Sequence, residues 1–204
     1  MTVRSDQPKR VRLSGAERRE GLLRAARIVF QENGLAGART KRIAEMAGTS
    51  EAILYRHFTS KDELFEAAVL EPVEAMLMEI AESAATMGGY GDIEARREAS
   101  YQIHGVILYG MQEIGPLLGT ALFSDLEAGT AFYQHRLEPL LVKLDKAMAE
   151  SLGTWKHQPV SAEIINNVNL GTYFWIALQQ YFGTRKINPR STCRELVDIY
   201  LRAL

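Results

Sequence analysis

Residues 43–58 read IAEMAGTSEAILYRHF, and this stretch decides how the N-terminal part of the chain folds. Ile43 and the alanines that follow it can line one face of a short helix. Gly48 can end that helix, because glycine accepts the positive φ that such an ending needs. Ser50 can cap a second helix that starts at Glu51. Two short helices joined by a tight turn predict a helix-turn-helix.

The second helix of this motif should have a packing face and a free face. Leu54 and Phe58 are four residues apart and therefore point to one side of the helix. Small and polar residues fall largely on the other sides: Glu51, Ala52, Tyr55 and Arg56. We expect the first face to pack against the rest of the domain and the second to face DNA.

The pattern I-A-x-x-A-G-x-S-x-x-x-L-Y-x-H-F, followed by SKDEL at 60–64, resembles the DNA-binding domain of the TetR (tetracycline-repressor) family. The resemblance covers residues 14–70, and beyond them only helix number and length agree. It implies an all-α fold of about nine helices, with a three-helix DNA-binding domain followed by a larger ligand-binding and dimerisation domain. It also implies a homodimeric transcription regulator, a repressor released from its palindromic operator by a small molecule.

Charge is divided unevenly along the chain. Residues 1–61 hold 13 Lys and Arg against 6 Asp and Glu, whereas residues 62–204 hold 11 against 19. The basic excess therefore coincides with the helix-turn-helix, where phosphate groups would be neutralised. We predict a disordered basic arm at 1–13, which either follows the DNA or serves as a solubilising tail, a DNA-binding domain at 14–60, and a second domain at 61–204.

Capping residues and apolar periodicity predict helices along the whole length of the chain, and no segment reads as a β-strand. Pro72 should kink the fourth helix, Gly115-Pro116 should start a separate sixth helix, and Pro139 should bend the seventh. The expected helices outside the helix-turn-helix are 16–32, 60–84, 93–113, 115–123, 125–152, 162–182 and 192–203.

The DNA-contacting residues are predicted partly by helix geometry and partly by the resemblance. In the family, a Thr or Ser commonly stands four residues before the Ile-Ala pair, caps the helix and touches a phosphate. Arg39 occupies that position and Thr40 follows it, so either Thr40 caps a shorter helix or Arg39 makes a charged contact. The full set of predicted DNA contacts is Arg39, Thr40, Ser50, Glu51, Ala52, Ile53, Tyr55, Arg56, His57 and Lys61.

Within that set, base readers and backbone contacts should differ in their effects. Ser50 can cap its helix or donate to a phosphate. Glu51 suits a helix start and could also accept from a cytosine amino group, and Ile53 could meet a thymine methyl. Tyr55, by resemblance, contacts a phosphate, and Lys61 is a further backbone contact of the kind that sets affinity without reading sequence.

The sequence offers little for catalysis or metal binding. Cys193 is the single cysteine, so no internal disulfide forms and a reducing cytoplasm is expected. His104, His135 and His157 stand alone, without the spacing of metal ligands, and we predict neither a metal site nor a cofactor. No apolar run approaches the ~20 residues of a membrane span. The chain is therefore predicted not to be an enzyme and not to enter a membrane.

The second domain carries apolar and aromatic side chains with polar tips, the mixture that lines a ligand pocket. The resemblance implies a cavity for an apolar or aromatic ligand among predicted helices 4 to 8. The predicted ligand-binding residues are Met76, Tyr101, His104, Tyr109, Met111, Phe123, Phe132, Tyr133 and Trp175.

Apolar residues surround the predicted helix 162–182 more fully than packing on one core requires. This pattern, together with the resemblance, predicts a homodimer formed by helices 8 and 9. Two alternatives remain: a ligand-independent DNA-binding regulator or architectural protein with a solid core, and a helical enzyme with an attached DNA-binding domain.

Overall fold

A computed structural model describes residues 14–87, 92–153, 159–184 and 186–203. The predicted basic arm at 1–13 lies outside the described residues. The described residues contain no β-strand, which confirms the all-α prediction. The α-helices are α1 (Gly15–Gly37), α2 (Thr40–Met46), α3 (Glu51–His57), α4 (Lys61–Met87), α5 (Ile93–Phe123), α6 (Leu126–Phe132), α7 (Glu138–Leu152), α8 (Ala162–Phe182) and α9 (Pro189–Ala203).

The chain separates into two compact units, and the division falls inside α4, between Phe65 and Glu66. The predicted boundary lay at residue 60, five residues earlier. The described part of the first unit is built from α1, α2, α3 and the first turn of α4.

The first unit has an apolar core to which each of its helices contributes. Ser14 starts α1 with a capping box, in which its hydroxyl accepts from the Glu17 backbone N–H and the Glu17 carboxylate accepts from the Ser14 N–H. The hydrogen bonds to Ser14 hold the pKa of the exposed Glu17 carboxyl below its usual value. Phe30 and Phe65 pack edge to face with ring centroids 5.0 Å apart. The buried apolar residues of this unit are Leu22, Leu23, Ala25, Ala26, Val29, Phe30, Ala38, Ile43, Ala44, Leu54, Phe58, Leu64 and Phe65.

The second unit is organised around α5, which packs against α6, α8 and α9. The prediction of a separate helix starting at Gly115-Pro116 is wrong, because α5 continues through Pro116 to Phe123. Residues 114–118 are all buried, so packing on every side of the helix outweighs the one backbone hydrogen bond that proline removes. By length and composition alone α5 could cross a membrane, a feature that core helices of soluble proteins share.

The segment after α5 also differs from the prediction. A single helix with a bend at Pro139 was expected, but a π-helical segment, Tyr133–Leu137, separates α6 from α7. Pro139 lies in the first turn of α7, where a missing N–H costs no hydrogen bond. Arg136 of the π-helical segment forms an ion pair with Glu66 of α4, with Nη1 and Oε2 3.1 Å apart. Pro72 lies inside α4, which is helical on both sides of it.

Gly129 allows α6 to pack closely on the end of α5. A Cβ at Gly129 would overlap the carbonyl oxygen of Leu122 and lie 2.9 Å from its carbonyl carbon. We expect Gly129→Ala to destabilise the second unit by about 1–3 kcal/mol, because backbone atoms cannot rotate away as a side chain can. Thermal unfolding followed by tryptophan fluorescence measures this unit, since both tryptophans, Trp155 and Trp175, follow residue 66.

Gly105 provides the matched control. It lies in the middle of α5, where a Cβ would meet no atom within 4 Å. Gly105→Ala should therefore raise the midpoint of thermal unfolding slightly, because alanine stabilises a helix by roughly 1 kcal/mol relative to glycine. Equal midpoints for the two alanine variants would contradict the packing argument at Gly129.

Candidate nucleic-acid interface and ligand cavity

The turn between α2 and α3 has the conformation that its sequence predicts. Gly48 has a φ of 67°, which confirms the expected left-handed residue after the first helix. The Thr49 N–H donates to the carbonyl of Ala44 at 2.9 Å and closes the turn. Leu54 is fully buried and Phe58 is 1% exposed, so these two side chains fix α3 by one face. The opposite face of α3 is left accessible.

The start of α2 resolves part of the choice between Arg39 and Thr40. Thr40 is the first residue of α2 and does not cap it, so that alternative is wrong. Arg39 occupies the capping position in an extended conformation, makes no capping bond through its side chain, and is exposed. The Arg39 side chain is therefore on the surface, as a charged contact to a phosphate requires.

Three of the predicted DNA contacts lie together at the junction of α2 and α3. The Thr40 hydroxyl donates to the Glu51 carboxylate, and its oxygen lies 3.3 Å from the Tyr55 hydroxyl. Tyr55 is 48% exposed. Because Glu51 accepts this bond inside the domain, its carboxylate holds the two helices together in addition to any role at a base.

The remaining predicted contacts of α3 differ in accessibility. Ala52 and Arg56 are exposed, whereas Ile53 and His57 are half-buried. Ser50 occupies the N-cap position of α3 and is exposed, but its hydroxyl makes no capping bond. The expected hydroxyl cap is therefore absent, although the helix begins where predicted.

Lys61 has a structural role that the sequence did not reveal. Gly34 has a φ of 65° and interrupts α1, which leaves carbonyl groups after it without helical partners. The Lys61 ammonium donates to the carbonyl oxygens of Leu35 at 2.7 Å and Ala38 at 3.4 Å. A phosphate contact by Lys61 would have to share these N–H donors. Lys61 therefore ties the end of α1 to the start of α4.

The second unit contains a small cavity among α5, α7, α8 and α9. Its volume is about 70 Å³, and its wall is mostly apolar. The lining residues are Ser100, Ile103, His104, Met148, Ser151, Leu152, Ile165, Asn169, Val197, Tyr200 and Leu201.

His104 in the cavity wall belongs to a buried hydrogen-bonded group. Its Nδ1 lies 2.7 Å from the Tyr173 hydroxyl, and its ring centroid lies 5.3 Å from that of Tyr200. Burial lowers the pKa of His104 to about 4, so the imidazole is neutral at physiological pH. Burial raises the pKa of the Tyr173 hydroxyl, which also contacts the Cys193 sulfur at 4.0 Å. This group supplies neutral hydrogen-bonding atoms, not charge.

The structure does not bring the nine predicted ligand-binding residues into one site. Of them, His104 alone lines the cavity described above. Met76 and Tyr109 line a separate open groove between α4 and α5. Phe123 and Trp175 are 76% and 61% exposed, and Tyr133 is exposed as well.

The three other predicted ligand-binding residues pack elsewhere in the second unit. Met111 and Phe132 are buried away from the cavity wall. The Tyr101 hydroxyl donates to Asp198 at 3.5 Å.

Apart from His104, the polar residues of the cavity wall were not predicted from the sequence. Asn169 of α8 is 6% exposed, and its Oδ1 is buried without a hydrogen-bond partner. Asn166, one turn earlier, is also buried, but its side-chain amide donates to Asp145 at 2.7 Å. The available signal was that Asn166 and Asn169, three residues apart, share one face of α8 with apolar residues such as Ile165 and Tyr173. Among the described residues, no three His, Cys, Asp or Glu side chains are grouped so that they could hold a metal ion.

Comparison with known proteins agrees with the geometry of the first unit. Residues 22–68 match the family model described as bacterial regulatory proteins, tetR family. The N-terminal domain belongs to the TetR family. The matched residues include the whole helix-turn-helix and the start of α4.

Two curated relatives match the TetR domain. The HTH-type transcriptional repressor AcnR of Corynebacterium diphtheriae is 36% identical over 66 residues, which is 32% of this chain and 35% of the relative. The HTH-type transcriptional activator FasR of Mycolicibacterium smegmatis is 42% identical over 66 residues, 32% of this chain and 30% of the relative. The matches thus span about a third of the length of either relative.

A solved structure extends the similarity of fold beyond the TetR domain. The transcriptional regulator FadR from Bacillus subtilis, in complex with stearoyl-CoA, aligns with 91% of this chain and 98% of its own length, with a TM-score of 0.64. The two chains are 16% identical, so the likeness concerns the fold.

Proposed function

We propose that the chain is a cytoplasmic, homodimeric transcription regulator that binds a palindromic DNA operator and is released by a small apolar or aromatic molecule. One observation carries the proposal: α3 is fixed by the buried Leu54 and Phe58, while Thr40, Tyr55 and Arg56 lie on its accessible side or beside it. A short helix held in this way can enter the major groove with its N-terminal residues, and neighbouring hydroxyl and guanidinium groups can contact phosphates.

Selection of genomic fragments by the purified protein tests this proposal. We expect enrichment of a palindromic site and an affinity that falls steeply when the salt concentration rises, because Lys and Arg displace counterions from DNA. Recovery of fragments without any shared sequence would contradict it. A reporter gene behind the enriched site gives the sign of regulation, since one relative is named a repressor and another an activator.

Tyr55 and Ile53 should have separable effects on DNA binding. Tyr55→Phe removes a hydroxyl from the exposed side of α3, and we expect it to weaken binding to all sequences alike, by about fivefold for one hydrogen bond. Ile53→Ala should instead change which base is preferred at one position of the half-site, because it removes an apolar contact to a thymine methyl. Fluorescence anisotropy on the operator and on single-base variants measures both effects.

The same titrations expose an incorrect assignment of roles. If Tyr55→Phe changed which base is preferred in the half-site but left the affinity for the operator unchanged, Tyr55 would be a base-reading residue. Glu51→Gln belongs in the series, because it keeps the shape of a side chain that holds Thr40 while it removes the charge. If Glu51 also reads a cytosine, the variant changes preference at that base.

The dimer is proposed from the exposed apolar side chains of α8 and α9. Ile164, Val168 and Trp175 are 54%, 44% and 61% exposed and recur at helical spacing along α8, and Ile199 of α9 is 60% exposed. Large apolar side chains at such exposure mark an association surface. A twofold dimer would place two recognition helices about one DNA turn, ~34 Å, apart.

Trp175→Asp tests this surface. A central aromatic residue of an interface contributes roughly 2 kcal/mol or more to association, so we expect the variant to dissociate at concentrations where the parent is dimeric. Analytical ultracentrifugation measures the change. The control is Tyr109→Asp, which alters an exposed aromatic residue on α5 in the open groove. Equal dissociation of both variants would count against an interface on α8.

A regulator that needs no effector is the second candidate function, and the small cavity volume of about 70 Å³ favours it. A thermal-shift screen of small molecules separates the two candidates, because any ligand that binds the folded state raises the unfolding midpoint. Release of the operator by a stabilising compound supports the effector-controlled regulator. Stabilisation by no compound in a broad library supports the effector-free one.

A further inference from the structure

The cavity among α5, α7, α8 and α9 contains a hydrogen-bond acceptor that the protein leaves unused. Asn169 lines the cavity and is only 6% exposed, and its Oδ1 has no hydrogen-bond partner. Buried carbonyl oxygens are nearly always hydrogen-bonded in folded proteins. A group with an N–H or O–H donor inside the cavity would provide the missing partner.

The surroundings of Asn169 disfavour a charged group. None of the described residues that line the cavity is Lys, Arg, Asp or Glu. His104 is held neutral by burial, which lowers its pKa to about 4, and the same loss of hydration would act on a charged ligand. The remaining wall consists mainly of apolar side chains, including Ile103, Met148 and Ile165. A neutral group with an apolar part fits this wall better than a carboxylate.

The size of the cavity limits what can enter it. Its volume of about 70 Å³ is roughly half of the ~150 Å³ of an engineered apolar cavity that accepts benzene. A group of a few non-hydrogen atoms therefore fits without rearrangement, whereas a long acyl chain does not.

We propose that this cavity receives the small uncharged end of the effector, a primary amide or a similar group that donates a hydrogen bond to Asn169. The inference rests on the proposed function, because it names the chemistry of the effector that would release the operator. It also sets this chain apart from the structurally similar FadR, whose structure contains stearoyl-CoA. The buried part of the ligand is recognised by the Asn169 Oδ1 acceptor in a mainly apolar wall that carries no Lys, Arg, Asp or Glu among the described residues.

Three probes of the same shape test the proposal: acetamide, acetone and acetate. Acetamide is neutral and carries the N–H donor, acetone lacks the donor, and acetate is charged. The methyl groups of Ile103, Ile165 and Met148 line the cavity and report binding in methyl NMR spectra of the full chain. We expect acetamide to shift these signals saturably at millimolar concentrations, and acetone and acetate to bind about tenfold more weakly or not at all.

A pair of variants on α8 assigns the acceptor. Asn169→Leu removes Oδ1 while it keeps the number and branching of the side-chain heavy atoms. Its bulkier methyl groups narrow the cavity for all three probes, so the expected result is a loss of acetamide binding about tenfold larger than the loss of acetone binding. Asn167→Leu, at an exposed position of the same helix, should bind acetamide as the parent does. If Asn169→Leu loses its dispersed methyl spectrum, Asn169→Ala replaces it in the same comparison. Equal binding of acetamide and acetone by the parent, or unchanged acetamide binding without Oδ1, would overturn the proposal.

Operator binding is measured in a separate experiment with the same proteins. The proposed regulator function and the proposed chemistry of the effector can then be contradicted independently of each other. Operator binding without any probe in the cavity would refute the effector chemistry alone. Probe binding at Asn169 without operator binding would refute the proposed function and leave the cavity as a binding site of another role.

Discussion

Leu54→Ala should abolish operator binding at 37 °C by unfolding the first unit. Leu54 is fully buried on the inner face of α3. Truncation of a buried leucine to alanine costs about 2–5 kcal/mol, because the lost packing leaves a cavity that the surroundings fill only in part. A unit with so small a core has a small free energy of unfolding. The loss expected from Leu54→Ala is comparable with that entire free energy. Circular dichroism during heating should show an early loss of helix, and anisotropy should show no operator complex.

Met46→Ala is the matched control for this prediction. Met46 lies at the end of α2 and is 44% exposed, so its truncation removes little packing. Surface substitutions of this kind usually change stability by no more than about 0.5 kcal/mol. The control should retain the unfolding curve and the operator affinity of the parent. If Leu54→Ala unfolds at the same temperature as Met46→Ala, then Leu54 does not anchor α3 and the exposed face of that helix is assigned wrongly.

The helix-turn-helix could be predicted from sequence because its signals are local. Gly48 takes the positive φ that its position in the turn suggested, and Leu54 and Phe58 point inward as their spacing required. Helix caps are local as well: the Asp92 and Ser161 side chains accept from the backbone N–H groups of Ala95 and Ile164 at the starts of α5 and α8. Each of these features depends on residues within a few positions of one another.

Features that depend on distant residues could not be predicted in the same way. Lys61 donates to carbonyl groups more than twenty residues earlier in the chain, a relation that no local pattern contains. The prediction that Pro116 starts a helix was wrong, because the packing that keeps α5 continuous there comes from α8, more than fifty residues later in the chain. The cavity combines residues of four helices, so a list of aromatic side chains identified His104 and missed Asn169. Periodicity identifies buried faces but not where the packing between them is incomplete.

His104 makes the stability of the second unit depend on pH. It is 5% exposed, and burial depresses its pKa from 6.5 to about 4. The folded state therefore binds fewer protons than the unfolded state between these values. Above pH 6.5 the imidazole is neutral in both states and costs nothing. As the pH falls from 6.5 towards 4, the unfolded state gains the proton first, and the free energy of unfolding decreases.

The expected decrease approaches ~3 kcal/mol at pH 4, since each unit of pKa difference corresponds to about 1.4 kcal/mol. Unfolding by urea, followed by tryptophan fluorescence at a series of pH values from 7.5 to 4, measures it. Tyr173 and Tyr200 contact His104, but burial raises the pKa of both hydroxyls, so neither titrates in this range. Carboxylates elsewhere do titrate there, and a variant must separate them from His104.

His104→Asn provides that separation. Its side-chain amide can keep the hydrogen bond to the Tyr173 hydroxyl, which His104 makes through Nδ1, and it has no proton to gain. The difference in unfolding free energy between parent and variant should be constant above pH 6.5. Below it, the difference should move in favour of the variant as the parent loses stability. A difference that stays flat down to pH 4 would mean that the folded protein protonates His104 as readily as the unfolded chain does. The wall of the cavity would then be open to charge, and a carboxylate ligand would become as acceptable there as an amide.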